Sequence, residues 1–234
     1  MKKILVVLLA LVLTGSMAFG QEVNPNITAG SKALLFSFNG LAFLAAGNFD
    51  GGIGGKFFLS DMMAVRVGLQ FASASATNPW PGVVTPPNTS VDGTQSATQF
   101  GVGGAVELHL AKGRVRPFIG GGVGFSTTST ESKDPERGNP PPAQTTVKNN
   151  ANGETIGGMT FVAGSSIEVY GLVGFEYFLY NEISLGAEYR VGFMSLSQKD
   201  QEISSGSVTV TTKGGSSSLI GVTTSGVFTL AVYL

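Results

Sequence analysis

The stretch GGIGGKFFLSD, Gly51 to Asp61, decides how the rest of the chain is read. Its glycines run into Gly55-Lys56, as in a loop that cradles phosphate, and they also alternate as in a strand. The phosphate loop needs a glycine, four residues, then Gly-Lys and a hydroxyl residue to hold magnesium. Here the first glycine position holds Asp50 and the hydroxyl position holds Phe57. No G-x-G-x-x-G between a strand and a helix appears elsewhere, so the nucleotide reading fails. What remains is alternation.

In a strand successive side chains point to opposite faces. Ile53, Gly55, Phe57 and Leu59 share one face of this stretch, and Gly52, Gly54, Lys56 and Phe58 share the other. Eight segments can be divided in this way: 32–39, 51–59, 63–73, 99–110, 115–126, 167–179, 183–196 and 218–234. In each of the last seven, one face is apolar and free of charge. Val65, Val67, Leu69 and Phe71 oppose Arg66, Gly68 and Gln70; Val169, Val173, Phe175 and Tyr177 oppose Glu168, Tyr170, Gly174 and Glu176. The last segment sets Phe228, Leu230, Val232 and Leu234 against Thr229 and Tyr233. All but the first reach about the 9–11 residues that a tilted membrane strand needs.

Composition narrows the setting. Met1-Lys2-Lys3, the apolar run Ile4 to Leu13 and the small residues up to Gly20 have the form of a secretory signal, with Gln21 as the first mature residue. The chain is expected to divide into a signal peptide, 1–20, and one barrel domain, 21–234. There is no cysteine, so neither disulfides nor a lipid anchor on cysteine is expected. Only 12% of residues are charged, the net charge is −1 and 34 residues are glycine. This balance speaks against a nucleic-acid partner. An exported, weakly charged chain without a helical span is left with a closed barrel as its way across a bilayer.

Parity alone does not say which face looks outward. The glycines do, because they gather on the charged face, as in Gly120, Gly122 and Gly124. A water-facing exterior gains nothing from strand glycine. A narrow interior that stores Arg and Glu needs small neighbours. The charged face is therefore read as luminal. The connectors agree: LSDMM, LAKGRV and LYNEI are short, whereas the segments after the third and fifth strands are long and polar. That asymmetry belongs to outer-membrane barrels, with both termini in the periplasm.

GGIGGKFFLSDMMAVRVGLQF (51–71), RPFIGGGVGFS (116–126) and the closing GVFTLAVYL (226–234) resemble the small outer-membrane β-barrel family, the OmpA/OmpX/OmpW-type group of Gram-negative bacteria. The resemblance implies an all-β, eight-stranded antiparallel up-and-down barrel, with the outer membrane as its location. It implies outer-membrane lipid and lipopolysaccharide as surroundings and monomeric barrels. It also implies recognition of the last strand by the barrel-assembly machinery. Phe228, Leu230 and Val232 match that signal, while Leu234 stands where the group has a terminal aromatic. A trailing peptidoglycan-binding domain is not expected.

The candidate site is a luminal charge network of Lys56, Arg66, Arg116 and Arg190 with Glu107, Glu176 and Glu188. It reads either as interlocking ion pairs that fill the barrel or as a polar path for small solutes. His109, the only histidine, adjoins a short turn and is expected to be inert. One histidine without cysteine builds no metal site, and no cofactor or catalytic residue is expected. Phe57, Tyr177, Tyr180 and Tyr189 are expected in an aromatic girdle at the periplasmic side. Glu131, Lys133, Asp134, Glu136 and Arg137, with Pro140-Pro141-Pro142, are expected at a solvated loop tip. Functionally, a structural or surface-interaction protein is expected. A narrow channel is the alternative, and an outer-leaflet lipid-modifying enzyme a third reading.

Overall fold

The computed structural model describes residues 23–39, 51–83, 85–138, 143–222 and 227–234. The proposed signal peptide and the three prolines at 140–142 lie outside them. Among the described residues the chain forms strands only: β1 (Lys32–Asn39), β2 (Gly51–Phe58), β3 (Met63–Asn78), β4 (Thr89–Val91), β5 (Gly93–His109), β6 (Val115–Lys133), β7 (Glu136–Gly138), β8 (Thr146–Lys148), β9 (Glu154–Ile156), β10 (Met159–Phe161), β11 (Gly164–Phe178), β12 (Ile183–Gln198), β13 (Gln201–Ser205), β14 (Val208–Thr212), β15 (Ser216–Val222) and β16 (Val227–Tyr233).

Eight of them close into a barrel in the order β1-β2-β3-β5-β6-β11-β12-β16, each antiparallel to its neighbours, with β16 returning to β1. Where the eight strands overlap, closure joins the first to the last, so the backbone polar groups of that band are paired within the wall. The apolar face points outward. Phe71 is 69% and Ile53 62% exposed, whereas the inward Lys56 is 6% and Glu107 1% exposed. The orientation read from the glycines therefore holds.

The strands are longer than the alternation shows. β3 continues to Asn78 and pairs Ala72–Asn78 with Gly93–Gln99 of β5; β6 runs on to Lys133. Apolar alternation is required only where a strand crosses lipid, while ladder hydrogen bonds continue in water through Ala, Ser and Thr. Much of what reads as loop is thus wall and rim. The last predicted strand is two strands, β15 and β16, both on β12. Glu188 faces Val227 but Val191 faces Val222, so the register shifts by two and parity survives. Beyond the rim the sheet continues from β6 through β8 and β13 to β14. Glu131 and Lys133 belong to β6, and Glu136–Gly138 pairs with Thr89–Val91, so this charged cluster sits on paired strands. Asp134 joins it through its backbone, whose N–H donates to Thr145 O at 3.0 Å.

Each end of the lumen carries a packed lid that the alternation does not reveal. At the short-turn end residues 23–31 close the opening. Ile27 packs with Phe58, Phe178 and Tyr233, and Gly30 N–H donates to Phe58 O at 2.8 Å. At the other end the β9–β10 hairpin sets Ile156 and Phe161 on Ala97, beside Ala72, Ala74 and Ala76. Its buried Glu154 accepts hydrogen bonds from Ser132 Oγ and Asn150 Nδ2 at 2.9 and 3.0 Å. The girdle needs one correction. Phe57 and Tyr180 are exposed near the short turns and Tyr177 carries Arg114 over its ring at 5.0 Å, but Tyr189 lies six residues up β12 from Ile183. That is about 20 Å along a strand, too far for the lower ring.

Glycine gives the wall its interior space. Across β6 and β11, Gly124 faces Glu168, Gly122 faces Tyr170 and Gly120 faces Leu172. A Cβ on Gly122 would lie 2.6 Å from Gly104 O and 2.6 Å from Tyr170 Oη, so both backbone and ring would have to move. On the outer face, a Cβ on Gly55 meets only Ala33 O, at 4.0 Å. Gly122→Ala is expected to lower stability by about 1–3 kcal/mol, as overpacking does, and Gly55→Ala to stay within about 0.5 kcal/mol. Urea unfolding of refolded barrels, followed by heat-modified gel mobility, compares the two.

Candidate functional site

Strand parity delivers the charged residues to one place. Lys56 comes from β2, Arg66 from β3, Glu107 and His109 from β5, Arg116 from β6, Glu176 from β11, and Glu188 and Arg190 from β12. Six of the seven predicted charges form one alternating chain. Arg190 Nη2 lies 2.8 Å from Glu188 Oε1; Arg66 grips Glu188 through Nη1 and Nη2 at 2.8 and 3.1 Å. Arg66 Nη1 is also 2.9 Å from Glu107 Oε1, and Lys56 Nζ bridges Glu107 and Glu176 at 2.8 and 3.1 Å. The order is Arg190, Glu188, Arg66, Glu107, Lys56, Glu176, with every cation between or beside carboxylates.

Burial makes that order necessary. Glu107, Glu176 and Glu188 are at most 3% exposed, and an unpaired ion there costs several kcal/mol. With three cations and three carboxylates the chain is neutral. Glu107 sits at ion-pair distance from Lys56 and Arg66 without aligned hydrogen bonds, so it is held by charge at close range. Glu176 is held by direction as well, since Tyr233 Oη and Ser184 Oγ donate to its Oε1 at 2.7 and 2.5 Å. Tyr233 and Ser184 were not anticipated as partners, although parity places both on the inner face.

Arg116 is the correction. It is luminal and only 1% exposed, but among the described residues no carboxylate lies within ion-pair distance. Its Nη2 donates to Pro25 O at 3.0 Å and its Nε to Gly113 O at 3.3 Å, with the guanidinium 5.4 Å from the Phe178 ring. It fastens the lid segment to the barrel end. Height is not the cause, since Arg116 is the cross-strand partner of Glu176. That carboxylate is taken by Lys56, Ser184 and Tyr233, and the guanidinium turns to the carbonyls of Pro25 and Gly113. His109 is fully buried between Phe58 and Phe118, with ring centroids at 5.2 and 5.5 Å, and its Nε2 is 3.3 Å from Glu107 Oε2.

These groups divide the lumen. Between the charges and the wall there remains a space of about 20 Å³, the room of a single water centre. Above Arg66 and Arg190, towards the long-loop end, a cavity of about 660 Å³ opens, lined by glycines of six strands with Gln70, Glu168, Tyr170 and Met194. Arg190 lies over the Tyr170 ring at 4.6 Å. Outside the lumen, Lys112 Nζ bonds Asp61 Oδ2 at 2.7 Å across two short turns. That bond and charge hold the Asp61 carboxyl below its ordinary range, in full solvent. Among the described residues no group of three or more His, Cys, Asp or Glu side chains could hold a metal.

Glu188→Ala leaves Arg66 and Arg190 without their shared carboxylate, and a loss of about 3–5 kcal/mol is expected. Tyr233→Phe removes one bond to a buried carboxylate and is expected to cost about 1.5–3 kcal/mol. Both are read from unfolding midpoints in lipid bilayers; a wild-type midpoint for Glu188→Ala would mean that the chain of charges is not holding the barrel.

The family model for the outer membrane protein beta-barrel domain matches residues 4–213, and the chain belongs to that family. No curated protein matches it. The eight-stranded antiparallel barrel is a transmembrane one, in the outer membrane.

Proposed function

We propose that this protein is a closed outer-membrane barrel that displays the extended β structure of its long-loop end to surfaces or other molecules, and that it does not conduct. The observation that carries the reading is the filled lower half of the lumen. Lys56, Glu107, Glu176, Arg66 and Glu188 span it, Phe58, His109, Phe118, Phe178 and Tyr233 pack below, and Ile27 covers the end. An eight-stranded barrel is just wide enough for side chains to fill. Solutes or ions passing through would have to break contacts of 2.8–3.1 Å among buried charges.

In this reading the exposed apolar belt meets lipid and lipopolysaccharide, and the assembly machinery reads Phe228, Leu230 and Val232 of β16, with Leu234 exposed at the strand's end. The barrel acts as a monomer. His109 serves by packing, without a catalytic role. The presented surface is the sheet that leaves the barrel through β8, β13 and β14, whose Val208 and Val210 are exposed. The upper cavity favours the narrow channel as a second reading, because half of a path already exists.

Planar bilayers distinguish the two. Refolded protein is expected to give no unitary conductance; regular steps at moderate salt would favour the channel. The side that is displayed can be checked separately, since the chain contains no cysteine. Ser207→Cys at the β13–β14 turn is expected to react with an impermeant maleimide on intact cells, and Lys112→Cys at a short turn only after the membrane is opened.

A further inference from the structure

The upper cavity has an uneven charge. Arg66 and Arg190, the two cations that reach its floor, both bind Glu188. Ser126 and Ser166, on its wall, bond each other at 2.7 Å. Glu168 lines the same cavity, and among the described residues its carboxylate has neither an ion-pair nor a hydrogen-bond partner. Among the described residues it is the acid on the inner face of the barrel wall that the alternating chain leaves out.

Its position is set by the wall. Glu168 on β11 faces Gly124 on β6, and a Cβ on Gly124 would lie 2.4 Å from Oε1 and 2.8 Å from Cγ of Glu168. The side chain therefore lies across bare backbone, in the space that a larger residue would occupy. Tyr170, one turn of the pleat below, occupies the notch at Gly122 and is half-buried. The remaining surface near these groups is glycine backbone with Leu35 and Met194. A volume of about 660 Å³ is that of a small-molecule site. The two guanidiniums at the floor are engaged by Glu188, so among the described residues Glu168 is the lining charge that still lacks a counterion.

We propose that this cavity binds a small organic cation, an amine with an apolar body, whose charge pairs with Glu168 and whose body rests on the glycine wall, Leu35 and Met194. A neutral or anionic ligand would leave the carboxylate uncompensated. A hard metal ion is a poor occupant, since calcium needs six to eight oxygens. Among the described residues the lining offers a single carboxylate beside the neutral oxygens of Gln70, Tyr170 and three serines, the serines already bonded to other hydroxyls. The filled lower lumen makes the site a pocket rather than a passage, and entry is from the long-loop end. The inference does not depend on whether the displayed sheet binds surfaces.

The test uses the refolded mature chain in detergent micelles with benzylamine as probe, and benzyl alcohol and benzoate as its neutral and anionic counterparts. Calorimetric titration is expected to show one saturable benzylamine site and no site for benzoate. Glu168→Gln is expected to weaken benzylamine about tenfold or more, as loss of a charged partner does. Gly124→Ala pushes on a flexible side chain rather than on backbone, so it is expected to weaken binding while leaving the unfolding midpoint in place. No saturable benzylamine binding, equal binding of benzoate, or unchanged affinity in Glu168→Gln would each overturn the proposal and leave Glu168 a solvated wall group. Bilayer conductance is read separately, so a failed ligand site and a failed closed-barrel reading give different results.

Discussion

An eight-stranded wall encloses little room, and midway up the lumen its large inward side chains are admitted by glycines opposite them. That constraint governs this molecule. Leu172, Tyr170 and Glu168 on β11 each meet a glycine on β6, and Gly174 would clash with Phe118 if it carried a Cβ, at 2.7 Å. Glycine in a strand sacrifices packing and backbone entropy. Here the sacrifice is returned as volume, which admits arginine, glutamate and tyrosine to a space otherwise limited to short apolar residues.

Volume alone does not allow charge inside. The second condition is alternation, and the strand order supplies it: Glu107 on β5 is reached by Arg66 from the neighbouring β3 and by Lys56 from β2. Glu176 on β11 and Glu188 on β12 are reached by the same cations from across the lumen. The cross-lumen contacts join residues far apart in the chain, so they form only when the barrel closes. A closed barrel rewards them together, and a slipped register would leave several ions unpaired at once. The network therefore specifies one closure, whatever its net contribution to stability.

Much of this was legible because the strand period is two and does not drift. Parity placed Lys56, Arg66, Glu107, Glu176, Glu188 and Arg190 on one face, and the glycines placed that face inside. What parity lacks is height. Tyr189 is too far along β12 for the lower ring. Nor does parity show which way along the lumen a side chain turns, and Arg116, opposite Glu176 in the register, turns to Pro25 instead. Pattern also fails where lipid no longer imposes it. Residues 72–78 pair as regularly as residues 63–71 and also alternate, but with Ala72, Ala74 and Ala76 inward and Ser73, Ser75 and Thr77 outward, so the apolar outer face is gone. β9 and β10 are three residues each, too short for periodicity to register, and residues 23–31 close the lumen without forming a strand.

Among the described residues the two ends of the lumen are covered to different extents, the long-loop end only on the side of β3, β5 and β6, and the difference explains where empty space remains. At the short-turn end aromatic rings and ion pairs interlock, because the cross-strand partners are long side chains that meet near the axis. At the long-loop end the inner faces of β3 and β5 carry Ala72, Ala74, Ala76 and Ala97, too short to meet, and a separate hairpin has to supply Ile156 and Phe161. Between these layers the wall turns to glycine: Gly68, Gly101, Gly103 and Gly192 leave nothing that reaches the axis. A lumen built only for stability would fill that layer, as the layers on either side are filled. The sequence instead keeps it open and places there a carboxylate that the ion-pair chain leaves unpaired.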